Sequence, residues 1–201
     1  MRLLIPLFLI LAASVSSQQI EVVTEADAVD FEQALATLRS NISYSDDPLT
    51  EDSQKRTVGF SQRSLNGYLR FQGNAFLPTG LSDVTVEIQQ DGRLRGTGIL
   101  DLDEMDDFAD GSSGVLQLLS GSLPVSVSVL VVEADRGLEI TVESVQIGPV
   151  TLPTALAEIL VRRYSVSESY PAGLDLSVPI ALPPAVKDIQ IQQSLITIVT
   201  Q

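Results

Sequence analysis

Carboxylates are the side chains through which this sequence could perform acid–base chemistry. Its 201 residues include 26 Asp and Glu but no His and no Cys. Without those two residue types there can be no Ser-His-Asp or Cys-His nucleophile, no disulfide and no zinc site with nitrogen and sulfur ligands. Paired carboxylates remain, and they are the machinery of glycoside hydrolysis. Sugar-stacking aromatics are scarce, with four Tyr, six Phe and no Trp, so a carboxylate-dependent glycoside hydrolase is only an alternative, and we expect a protein that is not an enzyme.

The densest group of carboxylates lies between Asp101 and Asp110. A helix-loop calcium motif needs oxygen ligands at alternate positions and a glycine at the sixth. Counted from Asp101, the fifth and sixth positions are Met105 and Asp106, so the motif fails. A solvated acidic turn is the simpler interpretation, and a weaker surface calcium site is the alternative. We assign no metal and no cofactor.

The charge balance indicates which partners to expect. The 12 basic residues leave a formal net charge of −14. Nucleic acid binding requires a basic surface, and a field of this sign repels a polyanion, so we expect no nucleic acid partner. The acidic exterior also favours solubility and keeps the protein away from anionic bilayers.

The amino terminus has the layout of a secretory signal peptide. Arg2 is followed by an almost unbroken apolar run from Leu3 to Ala13 and then by small residues. We expect cleavage before Gln18 and a periplasmic or secreted protein. The alternative is an uncleaved anchor, but the run is shorter than the roughly 20 apolar residues that span a bilayer.

The elements that must position any site begin with a helix. Thr24 is the expected cap, Asp27 follows three residues later, and Phe31 and Leu35 continue an apolar face at helical spacing. Residues 43–55 are polar and aperiodic, which predicts a loop or linker.

Residues 57–71 fit two structures. The pair Asn66-Gly67 between apolar flanks is typical of a hairpin turn, whereas Ser61 followed by Leu65 and Tyr68 predicts a short capped helix. We favour the helix.

From residue 81 onward the apolar period becomes two, which predicts antiparallel hairpins. The first hairpin has alternating apolar residues over 84–88, a turn at Asp91-Gly92, and Gly96 and Gly98 on the inner face of its return strand. These glycines leave part of that face without side chains, so a packed helix or a bound ligand could approach the backbone there.

A second hairpin covers residues 125–147 and turns at 135–137. Its return strand changes phase between Val142 and Val145. One extra residue near Ser144 would restore the phase, so we predict a β-bulge there and a strongly curved strand.

A helix is predicted next, over residues 153–163. Pro153 suits its first turn, and Leu156 and Leu160 belong to its buried stripe. The pair Arg162-Arg163 complements the negative carboxyl end of the helix, and contact with a lipid phosphate is the alternative role. Further on, the alternation at residues 174–178 predicts a strand, and residues 189–199 predict a terminal hairpin.

Together these patterns predict an α+β fold in which a long curved antiparallel sheet wraps around one or two helices. The predicted organisation is a signal peptide at 1–17, an amino-terminal helix and polar linker at 18–56, and one curled-sheet domain at 57–201.

Several short motifs in this order resemble a known family. They are Leu65-Asn66-Gly67-Tyr68-Leu69, Gly121-Ser122-Leu123-Pro124-Val125, the segment Gly148 to Arg163, and Leu182-Pro183-Pro184-Ala185-Val186. Over roughly residues 57–200 the chain is similar to the LmeA-like phospholipid-binding proteins of the bacterial cell envelope, which share the architecture of tubular lipid-binding folds. The resemblance implies a curled sheet around a helix with an apolar groove, and it brings no catalytic residues. The acidic insert and the amino-terminal helix depart from the family pattern.

The function we expect is the binding of a lipid or another long apolar molecule in a groove between the curved sheet and the helix. The residues expected to line it are Val84, Val86, Ile88, Val127, Val129, Val131, Ile140, Val142, Leu156 and Leu160.

A second class of function is an envelope scaffold or interaction module without a ligand, and transient contact with a membrane or an envelope protein is compatible with both classes. Cavity volume discriminates them: a carrier needs a continuous apolar cavity of several hundred cubic ångströms, whereas the same valines packed as a core leave none.

Overall fold

The computed structural model describes residues 22–44, 55–73, 77–104, 119–135, 137–166 and 170–201. The predicted signal peptide, most of the polar linker, and the carboxylates from Asp106 to Asp110 lie outside the described residues.

Within the described ranges the chain forms two antiparallel sheets and three α-helices, which confirms the predicted α+β class. The helices are α1 (Glu25–Tyr44), α2 (Gln62–Phe71) and α3 (Thr154–Tyr164). The strands are β1 (Arg56–Ser61), β2 (Leu81–Ile88), β3 (Arg93–Asp101), β4 (Ser122–Ala134), β5 (Gly137–Ile147), β6 (Val150–Leu152), β7 (Ile180–Ala181), β8 (Val186–Gln192) and β9 (Leu195–Thr200).

The larger sheet has the order β2-β3-β4-β5-β6, and β7 pairs with the other end of β5. In the ladder between β4 and β5, Ser128 pairs with Ser144 and Val129 pairs with Val142, so Glu143 is the extra residue of a β-bulge. This confirms the bulge predicted near Ser144. A bulge bends its strand and increases the local twist, which curves the longest hairpin of the sheet.

One face of this sheet, called the inner face below, is apolar because paired residues point to the same side. It includes Val86, Leu94, Gly96, Gly98, Leu100, Val125, Val127, Val129, Val131, Ile140, Val142, Val145 and Ile147. Helix α3 packs on the inner face at β5, where its Ala157 is 2% exposed.

The smaller sheet has the order β1-β9-β8, and α1 and α2 pack against it. Phe31 of α1 contacts both Phe60 of β1 and Tyr68 of α2, with ring centroids 5.3 Å and 4.8 Å apart. Gly67 permits the close crossing of the two helices, because a Cβ there would lie 2.7 Å from the backbone nitrogen of Ala28.

Helix α2 confirms the preferred interpretation of residues 57–71. Ser61 is its N-cap, and the Ser61 hydroxyl oxygen accepts a hydrogen bond of 3.0 Å from the Ser64 backbone N–H. The hairpin alternative is wrong, since Asn66-Gly67 lies inside the helix. The start of α1 is also as predicted, but the Thr24 hydroxyl donates to the Asp27 carboxylate instead of capping a backbone N–H.

The outer edge of β2 contacts α2 and the turn between β8 and β9, and polar groups of both cover it. The Asn66 side chain accepts from the Val86 N–H at 2.7 Å and donates to the Val86 carbonyl at 2.9 Å. The side-chain oxygen Oε1 of Gln62 accepts from the Ile88 N–H at 2.7 Å, and the Ser194 N–H donates to the Ile88 carbonyl at 2.9 Å. These bonds satisfy the groups that an edge strand otherwise leaves free.

The strand predicted at residues 174–178 is wrong. These residues form turns between α3 and β7, where Gly173 has a φ of +76° and the Ser177 N–H donates to the Asp175 side chain. An aspartate that accepts from a backbone N–H two residues on stabilises a turn. Within these turns Leu176 packs against the core cluster, whereas Val178 is 59% exposed. In the part of the chain that is described, no helix is long and apolar enough to cross a membrane.

Candidate functional site

An apolar groove lies between the inner face of the larger sheet and α3. Its volume is about 320 Å³, and it is partly open to solvent. Its wall is almost entirely apolar and is formed by Pro78, Leu81, Val84, Gly96, Thr97, Leu100, Val125, Val127, Val145, Ile147, Ala157, Leu160 and Val161. This volume is about twice that of an engineered apolar cavity of roughly 150 Å³ that stays dry and binds benzene.

The floor of the groove follows from the strand register. Val127 pairs with Gly96 on one side and with Val145 on the other, so these three positions form one row across β3, β4 and β5. The next row contains Val125 and Ile147. Because β-branched residues suit a pleated surface, the valines and isoleucine of the two rows give a stiff floor, interrupted on β3 by Gly96 and Gly98.

The opposite wall is one side of α3. Pro153 precedes the helix with a φ of −59°, and Ala157, Leu160 and Val161 face the groove. Ala157 is small enough to let the helix approach the sheet. The other side of the helix is exposed, and Ile159 there is 60% accessible.

The groove borders the core of the protein. The buried cluster next to it consists of Leu100, Leu102, Val142, Val145, Ile147, Leu152 and Ala157. Leu100, Val145, Ile147 and Ala157 belong to both sets. The groove and the core therefore share part of the inner face and part of α3.

Three of the ten residues predicted to line the groove do so, namely Val84, Val127 and Leu160. The other seven lie outside its wall. Ile88, Val131 and Val142 are buried, Val129 and Leu156 pack against the core cluster, and Val86 and Ile140 are half-buried.

Most of the other lining residues could have been identified from the pattern of the sequence. Val125, Val145 and Ile147 share the alternation of Val127 and follow from the predicted hairpin once the register is known. Gly96 was identified as a gap in the inner face. The contribution of Pro78 and Val161 depends on how the helix lies over the sheet, and no local pattern predicts that.

No charged residue lines the groove, and the side chain of Thr97, the one polar residue in its wall, lies on the other face of the sheet with that of Thr85. Among the described residues, no group of three or more Asp or Glu side chains is arranged to hold a metal ion. The arrangement offers burial and dispersion contacts to a ligand and no acid–base or electrophilic group.

A second depression lies on the opposite face of the same sheet. Its volume is about 480 Å³, and its lining includes Asp83, Ser126 and Gln146. It is larger but much more polar than the groove. A shallow polar surface exchanges contacts with water at little net gain, so volume alone does not make it the candidate site.

An ion pair joins α3 to the segment that follows it. The Arg162 guanidinium lies 2.9 Å from the Asp175 carboxylate, at the carboxyl end of the helix. Hydrogen bonds from the Ser177 side chain and backbone hold the pKa of Asp175 below its ordinary value, and Arg162 adds to the effect. Arg162 therefore ties the segment after α3 to the helix, in addition to complementing the helix dipole.

A comparison with family models and with curated proteins finds no match. Among solved structures, the chain is similar to the lipopolysaccharide binding protein, with 12% identity and a TM-score of 0.26. The alignment covers 77% of this chain and 44% of that chain, so this protein spans less than half of its length. A likeness this low carries no argument about function, and membership of the LmeA-like family stays a prediction.

Proposed function

We propose that this protein is not an enzyme and that it binds a lipid or another long apolar molecule in the groove between the larger sheet and α3. The observation that supports this most strongly is the combination of a volume of about 320 Å³ with a wall that bears no charged group. Typical small-molecule pockets begin near 300 Å³ and are mostly apolar.

The physical basis of binding is the removal of apolar surface from water. Each methylene transferred into the groove contributes about 0.8 kcal/mol. A polar headgroup gains nothing from the wall, so it is expected to stay at the open side, where water hydrates it. The groove therefore suits a chain-like ligand that is held by its apolar part.

The export of the protein is part of the proposal. Its support is the apolar run from Leu3 to Ala13 after Arg2. Amino-terminal sequencing of the protein isolated from its native host is expected to begin at Gln18, and recovery of an intact amino terminus would contradict cleavage at that site.

The test introduces one charge into the floor of the groove. Val127→Asp places a carboxylate beside Gly96 and Val145, and the control Ser128→Asp places the same charge on the next residue of β4, which points to the other face. Binding of a neutral phenylnaphthylamine dye is followed by fluorescence, and circular dichroism reports the fold.

We expect Val127→Asp to weaken dye binding at least tenfold and Ser128→Asp to leave it unchanged. A partly open groove lets the new carboxylate remain hydrated, so the protein is expected to stay folded. Undiminished dye binding by a folded Val127→Asp protein would refute the groove as the site. If the wild-type protein binds neither the dye nor any lipid that native mass spectrometry detects, the ligand-free scaffold is the better function.

A further inference from the structure

Gly96 occupies the middle of β3, where a glycine normally weakens a strand. Its φ does not fall in the left-handed region, unlike that of Gly92 or Gly121. The backbone therefore has no need of glycine at this position, and the absence of a side chain needs another explanation.

The space beside Gly96 supplies that explanation. A Cβ at Gly96 would meet no atom within 4 Å, whereas a Cβ at Gly98 would lie 3.0 Å from the Ser82 carbonyl oxygen and 3.3 Å from Leu81 Cδ1. On the inner face, Gly98 is therefore covered by neighbouring atoms, whereas Gly96 faces open space. Gly96 lies in the wall of the groove, between Val86 and Val127 in the strand register.

We infer that Gly96 sets the length of the apolar chain that the groove accepts. This inference rests on the proposed function and deepens it, because it assigns the groove to an extended alkyl chain lying against the β3 backbone. A side chain at position 96 would point into the groove and occupy the volume that the ligand otherwise fills.

The size of the effect follows from the volumes. At about 30 Å³ for each water-sized group, the four carbons of a leucine side chain take up about 120 Å³. That is more than a third of the groove volume of about 320 Å³. Gly96→Leu should therefore displace about four methylene groups of a ligand, and Gly96→Ala about one.

The experiment uses a homologous series of n-alkanols, from hexanol to hexadecanol, as competitors of the phenylnaphthylamine dye. Neutral probes are chosen because the net charge of −14 repels carboxylates. For the wild-type protein, affinity should rise about fourfold with each methylene until the groove is full and then level off.

For Gly96→Leu the affinity should level off at an alkanol about four methylenes shorter than for the wild type. For Gly96→Ala it should level off at an alkanol about one methylene shorter. Arg95→Leu is the matched control, since it adds the same side chain to the adjacent, exposed position on the other face. Its plateau should equal that of the wild type. Thermal unfolding of each variant establishes that it is folded.

The outcomes separate this inference from the proposed function. If the wild type shows a plateau and folded Gly96→Ala and Gly96→Leu keep it at the same chain length, Gly96 does not limit the ligand and the inference is overturned. If the wild type binds no alkanol and no dye, the proposed function itself fails.

Discussion

The edge of β2 offers a test of what joins the two sheets. Asn66→Ala removes a side chain that makes two hydrogen bonds to Val86, of 2.7 Å and 2.9 Å. The backbone N–H and carbonyl of Val86 then lose these partners on the outer edge of the strand. The position is half-buried, so water can replace them only in part.

The expected loss can be worked out from these contacts. Each neutral hydrogen bond contributes a net of about 0.5–1.5 kcal/mol, so the pair is worth about 1–3 kcal/mol. Alanine is the better helix former by about 0.5 kcal/mol, which offsets part of the loss. A central value of about 1.5 kcal/mol corresponds to a fall in Tm of about 3–6 °C for a chain of this size.

Two measurements check this prediction. Thermal unfolding gives the change in Tm, and amide hydrogen exchange measured by NMR should show faster exchange at Val86. The control is Arg70→Ala, an exposed substitution on the same helix, which should change the unfolding free energy by less than about 0.5 kcal/mol. If Asn66→Ala leaves both Tm and the exchange of Val86 unchanged, then the Asn66 side chain does not hold this edge.

Two further predictions concern the packing of α1. Gly67→Ala should destabilise the protein by about 1–3 kcal/mol in urea unfolding, because the new Cβ would lie 2.7 Å from the backbone nitrogen of Ala28; unchanged stability would show that the helices can separate freely. Hydrogen bonds from Thr24, opposed by desolvation and assisted by Arg63, hold the pKa of Asp27 below its ordinary value. Asp27→Asn should therefore lower the urea midpoint at neutral pH, and its difference from the wild type should shrink as pH falls through the lowered pKa. A difference that does not vary with pH would contradict this.

The sequence predicted those parts of the fold whose signals are local. The bulge at Glu143 was predicted because the alternation of apolar residues changes phase between Val142 and Val145. A regular strand keeps the same alternation along its length. Helix α3 followed from Pro153 and the apolar stripe after it. In both cases the decisive residues lie within a few positions of one another.

The parts that were missed depend on distant partners. Strand β1 is a short segment whose register places Arg56 opposite Thr200, at the other end of the chain. Residues 57–71 were predicted mainly as a helix, and the pairing with β9 makes the first of them a strand. The alternation at residues 174–178 was misleading for another reason, because Leu174 and Leu176 are half-buried within turns whereas Val178 is 59% exposed.

The candidate site was predicted in outline and not in detail, because hydrophobicity does not distinguish a core from a groove. Valines of the same alternation lie in both regions: Val127 lines the groove, and Val142 is in the core. What separates the regions is the position of α3 relative to the sheet. That position results from the tertiary packing of α3 on β5, which no local pattern of hydrophobicity specifies.

Two small residues have opposite effects on the space between α3 and the larger sheet. The small side chain of Ala157 lets α3 lie close to β5. Ala157 is only 2% exposed and belongs to the core cluster. Gly96 has the opposite effect, since the side chain it lacks would project into the remaining space. A small residue on a helix removes volume between two layers, whereas a small residue on the facing strand leaves volume there if nothing else fills it. In this sheet the open space beside Gly96 therefore marks the groove better than the valines do, since Val127 lines the groove and Val142 belongs to the core.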